Sequence, residues 1–167
     1  MFFREEVVVR KSIIALAFIL VIMFGAGRLA AVDTVDTKLL TQPAVSADRV
    51  AFVYANDLWT ADLEGRNVRR LTSGVGIEML PAFSPDGTLI AFSGQYDGNT
   101  DVYIVPAGGG VPKRLTWHPA ADLVQGFTPD GTAVLFTSSR FSSNRAYSQL
   151  FTVPVKGGEA GMLKVPY

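Results

Sequence analysis

The residue best suited to acid–base or nucleophilic chemistry is His118, the chain's single histidine, with Asp122 four residues on and many serines in the chain. A hydrolytic triad needs an imidazole beside both a hydroxyl and a carboxylate. Trp117-His118-Pro119, however, follows the Leu115-Thr116 end of a strand-like run and begins a loop, which favours a hydrogen-bonding or space-filling role. A second candidate is Asp97-Gly98-Asn99-Thr100-Asp101, whose oxygens fall at positions one, three and five, as in a calcium loop. That pattern then asks for Gly at position six and Glu at position twelve, where the chain has Val102 and Gly108. A turn held by Asp and Asn side chains accounts for the segment without metal. Gly108-Gly109-Gly110 could cradle phosphate only if a helix followed; a strand-like run follows, so a hairpin turn is expected. Arg66, Arg69, Arg70, Lys113 and Arg114 could meet an anion, but strand alternation assigns them to a solvated face with Leu71 and Leu115 turned inward. The residues thus supply no catalytic, cofactor-binding or metal-ligating set, and no cofactor is expected.

The composition narrows the function classes further. The chain has 167 residues, with 15 Lys and Arg against 15 Asp and Glu, one His and no Cys. A net charge of zero argues against a partner recognised through its phosphates, so no nucleic acid is expected. Without Cys there are no disulfides or thiolate metal sites, and one His cannot build a multi-His zinc centre. Sixteen Gly, nine Pro and 11 Phe point to short strands and frequent hairpins.

The elements that must carry these residues repeat. Residues 58–73 (LWTADLEGRNVRRLTS), 102–117 (VYIVPAGGGVPKRLTW) and 150–165 (LFTVPVKGGEAGMLKV) align without gaps. Leu58-Trp59, Val102-Tyr103 and Leu150-Phe151 coincide, as do Gly65, Gly109 and Gly157, and Leu71, Leu115 and Leu163, at offsets of 44 and 48 residues. Upstream, Pro81-Ala82-Phe83-Ser84-Pro85-Asp86-Gly87-Thr88 matches Gln125-Gly126-Phe127-Thr128-Pro129-Asp130-Gly131-Thr132, again 44 apart. Pro43-Ala44-Val45-Ser46-Ala47-Asp48-Arg49-Val50-Ala51-Phe52 is a first copy, two residues shorter at the turn. Ser/Thr-Pro-Asp-Gly predicts a hairpin, with Pro presetting the first corner, Asp bonding back to the backbone and Gly at positive φ. Each unit then reads as a four-stranded antiparallel meander of ~45 residues, the size of a propeller blade. Phe52, Phe83, Phe92, Phe127 and Phe136 recur at matching positions and are expected in the core, each ring contributing about 2 kcal/mol on burial.

The expected fold is therefore all-β: an incomplete β-propeller of three four-stranded blades over 43–167, with blades at about 43–80, 81–124 and 125–167. Closed propellers have roughly four to eight blades, so the chain is expected to belong to a longer protein, to pair with further copies, or to stem from a truncated reading frame. Its stop at Val165-Pro166-Tyr167, where a fourth strand would finish, favours truncation. Open blade edges predict self-association. Before the repeats, residues 13–27 form an uncharged apolar run preceded by Arg4, Arg10 and Lys11. It is shorter than the ~20 residues that span a bilayer comfortably, and predicts a signal peptide or uncleaved anchor helix within residues 1–31, followed by a linker over 32–42. Export to the periplasm or exterior is expected, with membrane contact only through that segment.

The Ser-Pro-Asp-Gly blades followed by Ile90-Ala91-Phe92 and Asp101-Val102-Tyr103 resemble the repeats of TolB and of tricorn-type proteases. The stretch from Arg70 to Asn144 is more similar to tricorn protease homologues, through Arg70-Leu71-Thr72-Ser73, Ser93-Gly94-Gln95-Tyr96-Asp97-Gly98-Asn99, Arg114-Leu115-Thr116-Trp117-His118-Pro119 and Ser138-Ser139-Arg140-Phe141. The resemblance implies half of a six-bladed first propeller, in a family where a second propeller, a PDZ-like domain and α/β domains with a serine-protease site follow. It implies a non-catalytic role in shaping peptide access or exit, with a peptide or protein ligand bound by the completed propeller. The family's catalytic Ser and His lie far downstream, so no residue here inherits those roles. Two alternatives are a TolB-like periplasmic protein-binding module and a stand-alone hydrolase.

Overall fold

The computed structural model describes residues 40–142 and 147–164. The expected apolar segment 13–27 and most of the linker lie outside the described residues. The described residues fall in one compact unit, and every regular element among them is a strand.

The strands fall into three four-stranded antiparallel meanders. The first contains β1 (Thr41–Val45), β2 (Arg49–Tyr54), β3 (Asp57–Asp62) and β4 (Arg69–Arg70). The second contains β5 (Ile77–Phe83), β6 (Leu89–Tyr96), β7 (Asn99–Pro106) and β8 (Lys113–Arg114). The third contains β9 (Asp122–Phe127), β10 (Ala133–Ser138), β11 (Gln149–Pro154) and β12 (Gly161–Met162). The first strands meet across sheets, β1 against β5 and β5 against β9, which gathers them on one side. The two-residue fourth strands are the opposite edges of the sheets.

Blade starts expected at 81 and 125 fall instead at Ile77 and Asp122, and the first strand begins at Thr41 rather than 43. The reason is a bulge. Gln42 and Leu80, at φ 53° and 55°, break the register of β1 and β5 immediately before Pro43 and Pro81. Proline cannot donate to a ladder and settles at such irregularities, so a strand that continues through it looks in the sequence like one that starts there.

Turn chemistry fixes the hairpins. Ser84, Pro85, Asp86 and Gly87 close a turn through the Gly87 N–H, which donates to the Ser84 carbonyl at 2.9 Å. The Ser84 hydroxyl donates to Asp86 Oδ1 at 2.6 Å and accepts from the Leu89 N–H at 2.9 Å. Thr128, Asp130 and Ala133 repeat these contacts at 2.6 and 3.1 Å. The Ser84 hydroxyl, and secondarily the Thr88 N–H, hold the Asp86 carboxyl below the usual carboxylate range, as Thr128 and Thr132 do for Asp130. In the shorter first copy Ser46 still donates to Asp48, at 3.1 Å. Gly87 has φ 70°, and a Cβ there would meet nothing nearer than Ser46 at 3.6 Å. Gly87→Val is therefore expected to destabilise by about 1–3 kcal/mol through backbone conformation alone. Urea denaturation checks this, and an unchanged midpoint would refute the assigned turn.

The sheets stack face to face through two apolar layers. Ala51, Leu58 and Leu71 of the first sheet receive Ile90, Phe92, Tyr103 and Val105 of the second. Ala91, Val102, Ile104 and Leu115 receive Val134, Phe136, Phe151 and Val153 of the third. Phe92 stacks on Tyr103 and Phe136 on Phe151, each with centroids 5.6 Å apart. Of the aromatics expected inside, Phe52, Phe92 and Phe136 are buried, whereas Phe83 and Phe127 are half-buried at the margins of these layers.

Candidate functional site

The strongest concentration of polar chemistry lies between the sheets. In the first sheet Asp57 pairs with Arg70 at 2.8 Å, and Thr72 Oγ1 accepts from the Leu58 N–H at 2.8 Å. The second sheet repeats this 44 residues on: Asp101 pairs with Arg114 at 2.6 Å, and Thr116 Oγ1 accepts from the Val102 N–H at 3.0 Å. Each cluster faces an acid at the start of the following sheet. Glu78 meets the first and accepts from the Tyr96 hydroxyl. Asp122, fully buried, meets the second and pairs with Arg140 at 2.7 Å, whose guanidinium carbon lies 5.1 and 4.9 Å from the Phe136 and Phe151 ring centres.

The two junctions differ in charge balance. The second sets Arg114 and Arg140 against Asp101 and Asp122, whereas the first has Arg70 for both Asp57 and Glu78. Burial pushes the Glu78 carboxyl above its ordinary value, with Asp57 adding to the rise, while bonds from Tyr96 and Thr72 oppose it. One Glu78 oxygen is buried without a hydrogen-bond partner. Burial likewise raises Asp101, against the pull of Arg114, and raises the Tyr96 phenol.

A carboxyl whose folded value is raised keeps a proton in the folded state at pH values where the unfolded chain has released it. Its stabilising contribution is complete below the ordinary Glu value of 4.5 and disappears as pH rises through the folded value. Glu78→Gln, which keeps an acceptor for Tyr96, is therefore expected to gain stability relative to wild type between acid and neutral pH. Melting temperatures across that range test it; a wild-type advantage that grew with pH would contradict the assignment.

The sequence-derived candidates are placed apart. The His118 Nδ1 accepts from the Ala120 N–H at 3.0 Å, and its carbonyl accepts from Asn99 Nδ2 at 2.6 Å. Asp122 is engaged by Arg140 instead of His118. Asp97 and Gly98, at φ 52° and 80°, form the two-residue turn joining β6 to β7, while Asp101 turns to Arg114. Among the described residues no cluster of three or more His, Cys, Asp or Glu is arranged to hold a metal. Gly109 has φ 96°, and its N–H closes a turn onto the Pro106 carbonyl at 2.8 Å. The basic residues depart from a merely solvated face. Arg69 donates to the Gly108 carbonyl of the next sheet, and Lys113 to the Lys156 carbonyl at 2.7 Å. Arg70 and Arg114 are bound by the buried acids, and Arg66 stays exposed with Asp62 and Glu64. The 44-residue offset applied to charged residues, and not only to aromatic ones, marks Asp57/Asp101, Arg70/Arg114 and Thr72/Thr116 in the sequence.

Repeated four-stranded meanders, stacked face to face with their first strands gathered, define three blades of a β-propeller. The family described as the tricorn protease N-terminal beta propeller domain matches residues 37–167, and the chain belongs to it. Tricorn protease homolog 1 of Streptomyces coelicolor is 34% identical over 83 residues, covering 44% of this chain and 8% of that protein. The crystal structure of the tricorn protease superposes with a TM-score of 0.64 at 28% identity, over 72% of this chain and 13% of that one. TolB from Acinetobacter baumannii gives a TM-score of 0.61 at 26% identity, over 77% and 33%. The matched stretch thus covers under a tenth of the first curated relative's length.

Proposed function

We propose that this chain is a non-catalytic propeller segment of an exported tricorn-like serine protease, where it shapes the access or exit of peptides. The observation that carries the reading is the family match over 37–167, which coincides with the three blades. The local chemistry agrees with it: Asp57, Asp101 and Asp122 are each committed to an arginine, and His118 is bonded to its own loop. These are arrangements that fix each blade internally, not ones that hold a nucleophile beside a base.

The test is peptide hydrolysis by the purified 167-residue chain over a panel of fluorogenic peptides, with His118→Ala as control. No turnover above background is expected. Activity that vanished in the variant would overturn the non-catalytic reading in favour of a stand-alone hydrolase.

The likeness to TolB favours a second reading, an exported module whose propeller face binds a protein. The coding sequence beyond Tyr167 separates the two. Further blades and then a Ser- and His-bearing α/β region support the protease segment; a stop after the blades supports the binding module.

A further inference from the structure

The chain contains three Asp-Gly pairs: Asp86-Gly87, Asp97-Gly98 and Asp130-Gly131. An aspartyl carboxyl that precedes glycine is open to attack by the next amide nitrogen, because glycine has no Cβ to crowd the approach. Two features oppose that attack. One is a hydrogen bond that occupies the glycine N–H. The other is a set of bonds that keeps the carboxyl ionised, since its oxygen leaves as water only from the neutral acid. Two of the pairs are held in both ways. The Gly87 N–H donates to the Ser84 carbonyl at 2.9 Å, and the Gly131 N–H to the Thr128 carbonyl at 2.8 Å. Asp86 Oδ1 accepts from the Ser84 hydroxyl at 2.6 Å and from the Thr88 N–H at 3.0 Å. Asp130 Oδ1 accepts from the Thr128 hydroxyl at 2.6 Å and from the Thr132 N–H at 3.1 Å.

Asp97-Gly98 is held in neither way. Both residues are exposed, and among the described residues no hydrogen bond engages the Asp97 carboxyl or the Gly98 N–H. A Cβ added at Gly98 would meet nothing within 4 Å, so the space around the nitrogen is open. Asp97 also holds φ 52°, a region that L side chains disfavour. The ends of this turn, by contrast, are fixed. A Cβ at Gly76 would meet the Tyr96 ring at 2.6 Å, and that ring packs edge-on against Tyr103 at 4.9 Å. Asn99 Nδ2 donates to the His118 carbonyl at 2.6 Å and to Asp101 Oδ2 at 3.2 Å.

We infer that Asp97 is a site of spontaneous isoaspartate formation in the folded protein, and that Asp86 and Asp130 are protected from it. The Gly98 nitrogen bonds to Asp97 Cγ, and the amide proton leaves with the carboxyl hydroxyl as water. The product is a five-membered imide. Water then opens the ring at one of its two carbonyls. Addition at Cγ restores aspartate. Addition at the main-chain carbonyl carbon breaks its bond to the Gly98 nitrogen, so the backbone now runs through Cβ and Cγ. The mass is unchanged, but the main chain gains a methylene between Tyr96 and Asn99. A two-residue hairpin turn matches its strands only at its own length, so the altered chain is expected to unfold at a lower urea concentration. This inference does not rest on the protease reading.

The test incubates the full chain in heavy-oxygen water at neutral pH, folded or unfolded in urea, with circular dichroism as a control for folding. Each passage through the imide adds a heavy oxygen to the aspartate, and fragmentation of its peptide distinguishes the two backbones. In urea the three pairs are expected to react alike. In the folded chain Asp97 is expected to take up label about tenfold or more faster than Asp86 or Asp130, which must first open two hydrogen bonds. Ser84→Ala is expected to speed labelling at Asp86, and Thr128→Ala at Asp130, each leaving Asp97 unchanged. Labelling at Asp97 no faster than at the other two in the folded chain would overturn the inference. So would label at Asp97 without the isomerised backbone, or folded variants in which neither Asp86 nor Asp130 gained reactivity.

Discussion

Phe136→Ala is expected to lower the unfolding free energy by about 3–5 kcal/mol, the range for deleting a fully buried ring. The ring is 0% exposed, stacks on Phe151 at 5.6 Å and lies 5.1 Å from the Arg140 guanidinium carbon. Its loss opens a cavity at the centre of the layer formed by Ala91, Val102, Ile104 and Leu115. It also removes one of the two aromatic faces against Arg140. Total stabilities of domains are about 5–15 kcal/mol, so this single change takes much of the reserve. Urea denaturation measures it. A loss below about 1 kcal/mol would mean that the third sheet is not rigidly seated on the second.

Asp122→Ala is expected to cost about as much for a different reason. Its side chain is fully buried, and its partner Arg140 has only 10% of its side chain exposed. Breaking a buried pair by removing one partner costs about 3–5 kcal/mol, because the remaining charge is desolvated without compensation. Arg140→Met in the same protein removes that stranded charge, so the double variant is expected to be more stable than Asp122→Ala alone. A double variant losing the sum of both single effects would show that the pair is not coupled. By contrast Arg66, exposed beside Glu64 at 3.1 Å, is expected to change stability by less than about 0.5 kcal/mol when truncated to Ala.

The layered arrangement was legible because identical neighbours impose identical constraints. Leu71 and Leu115 are buried as their alternation against the basic residues requires, and the Ser-Pro-Asp-Gly turns form with the side-chain bonds their residue types suggest. What escaped was contact between residues far apart in the chain. Asp122 reads as a partner for His118 four residues away, yet its partner is Arg140, brought alongside by the β9–β10 pairing. Arg69 and Lys113 look like solvated strand residues because the carbonyls that they reach, of Gly108 and Lys156, belong to the next sheet. The bulges at Gln42 and Leu80 were hidden for the opposite reason: a proline next to a positive-φ residue reads locally as a boundary.

The fourth strands are two residues long, and Arg69 and Lys113 each leave a cation on one of them, Arg70 and Arg114 being paired with Asp57 and Asp101. Such an edge offers too few free amides to template a foreign strand, and its charges repel a second edge like itself. Fibril growth from the rim is thereby frustrated. Aggregation of this protein should then not start by strand addition at its fourth strands.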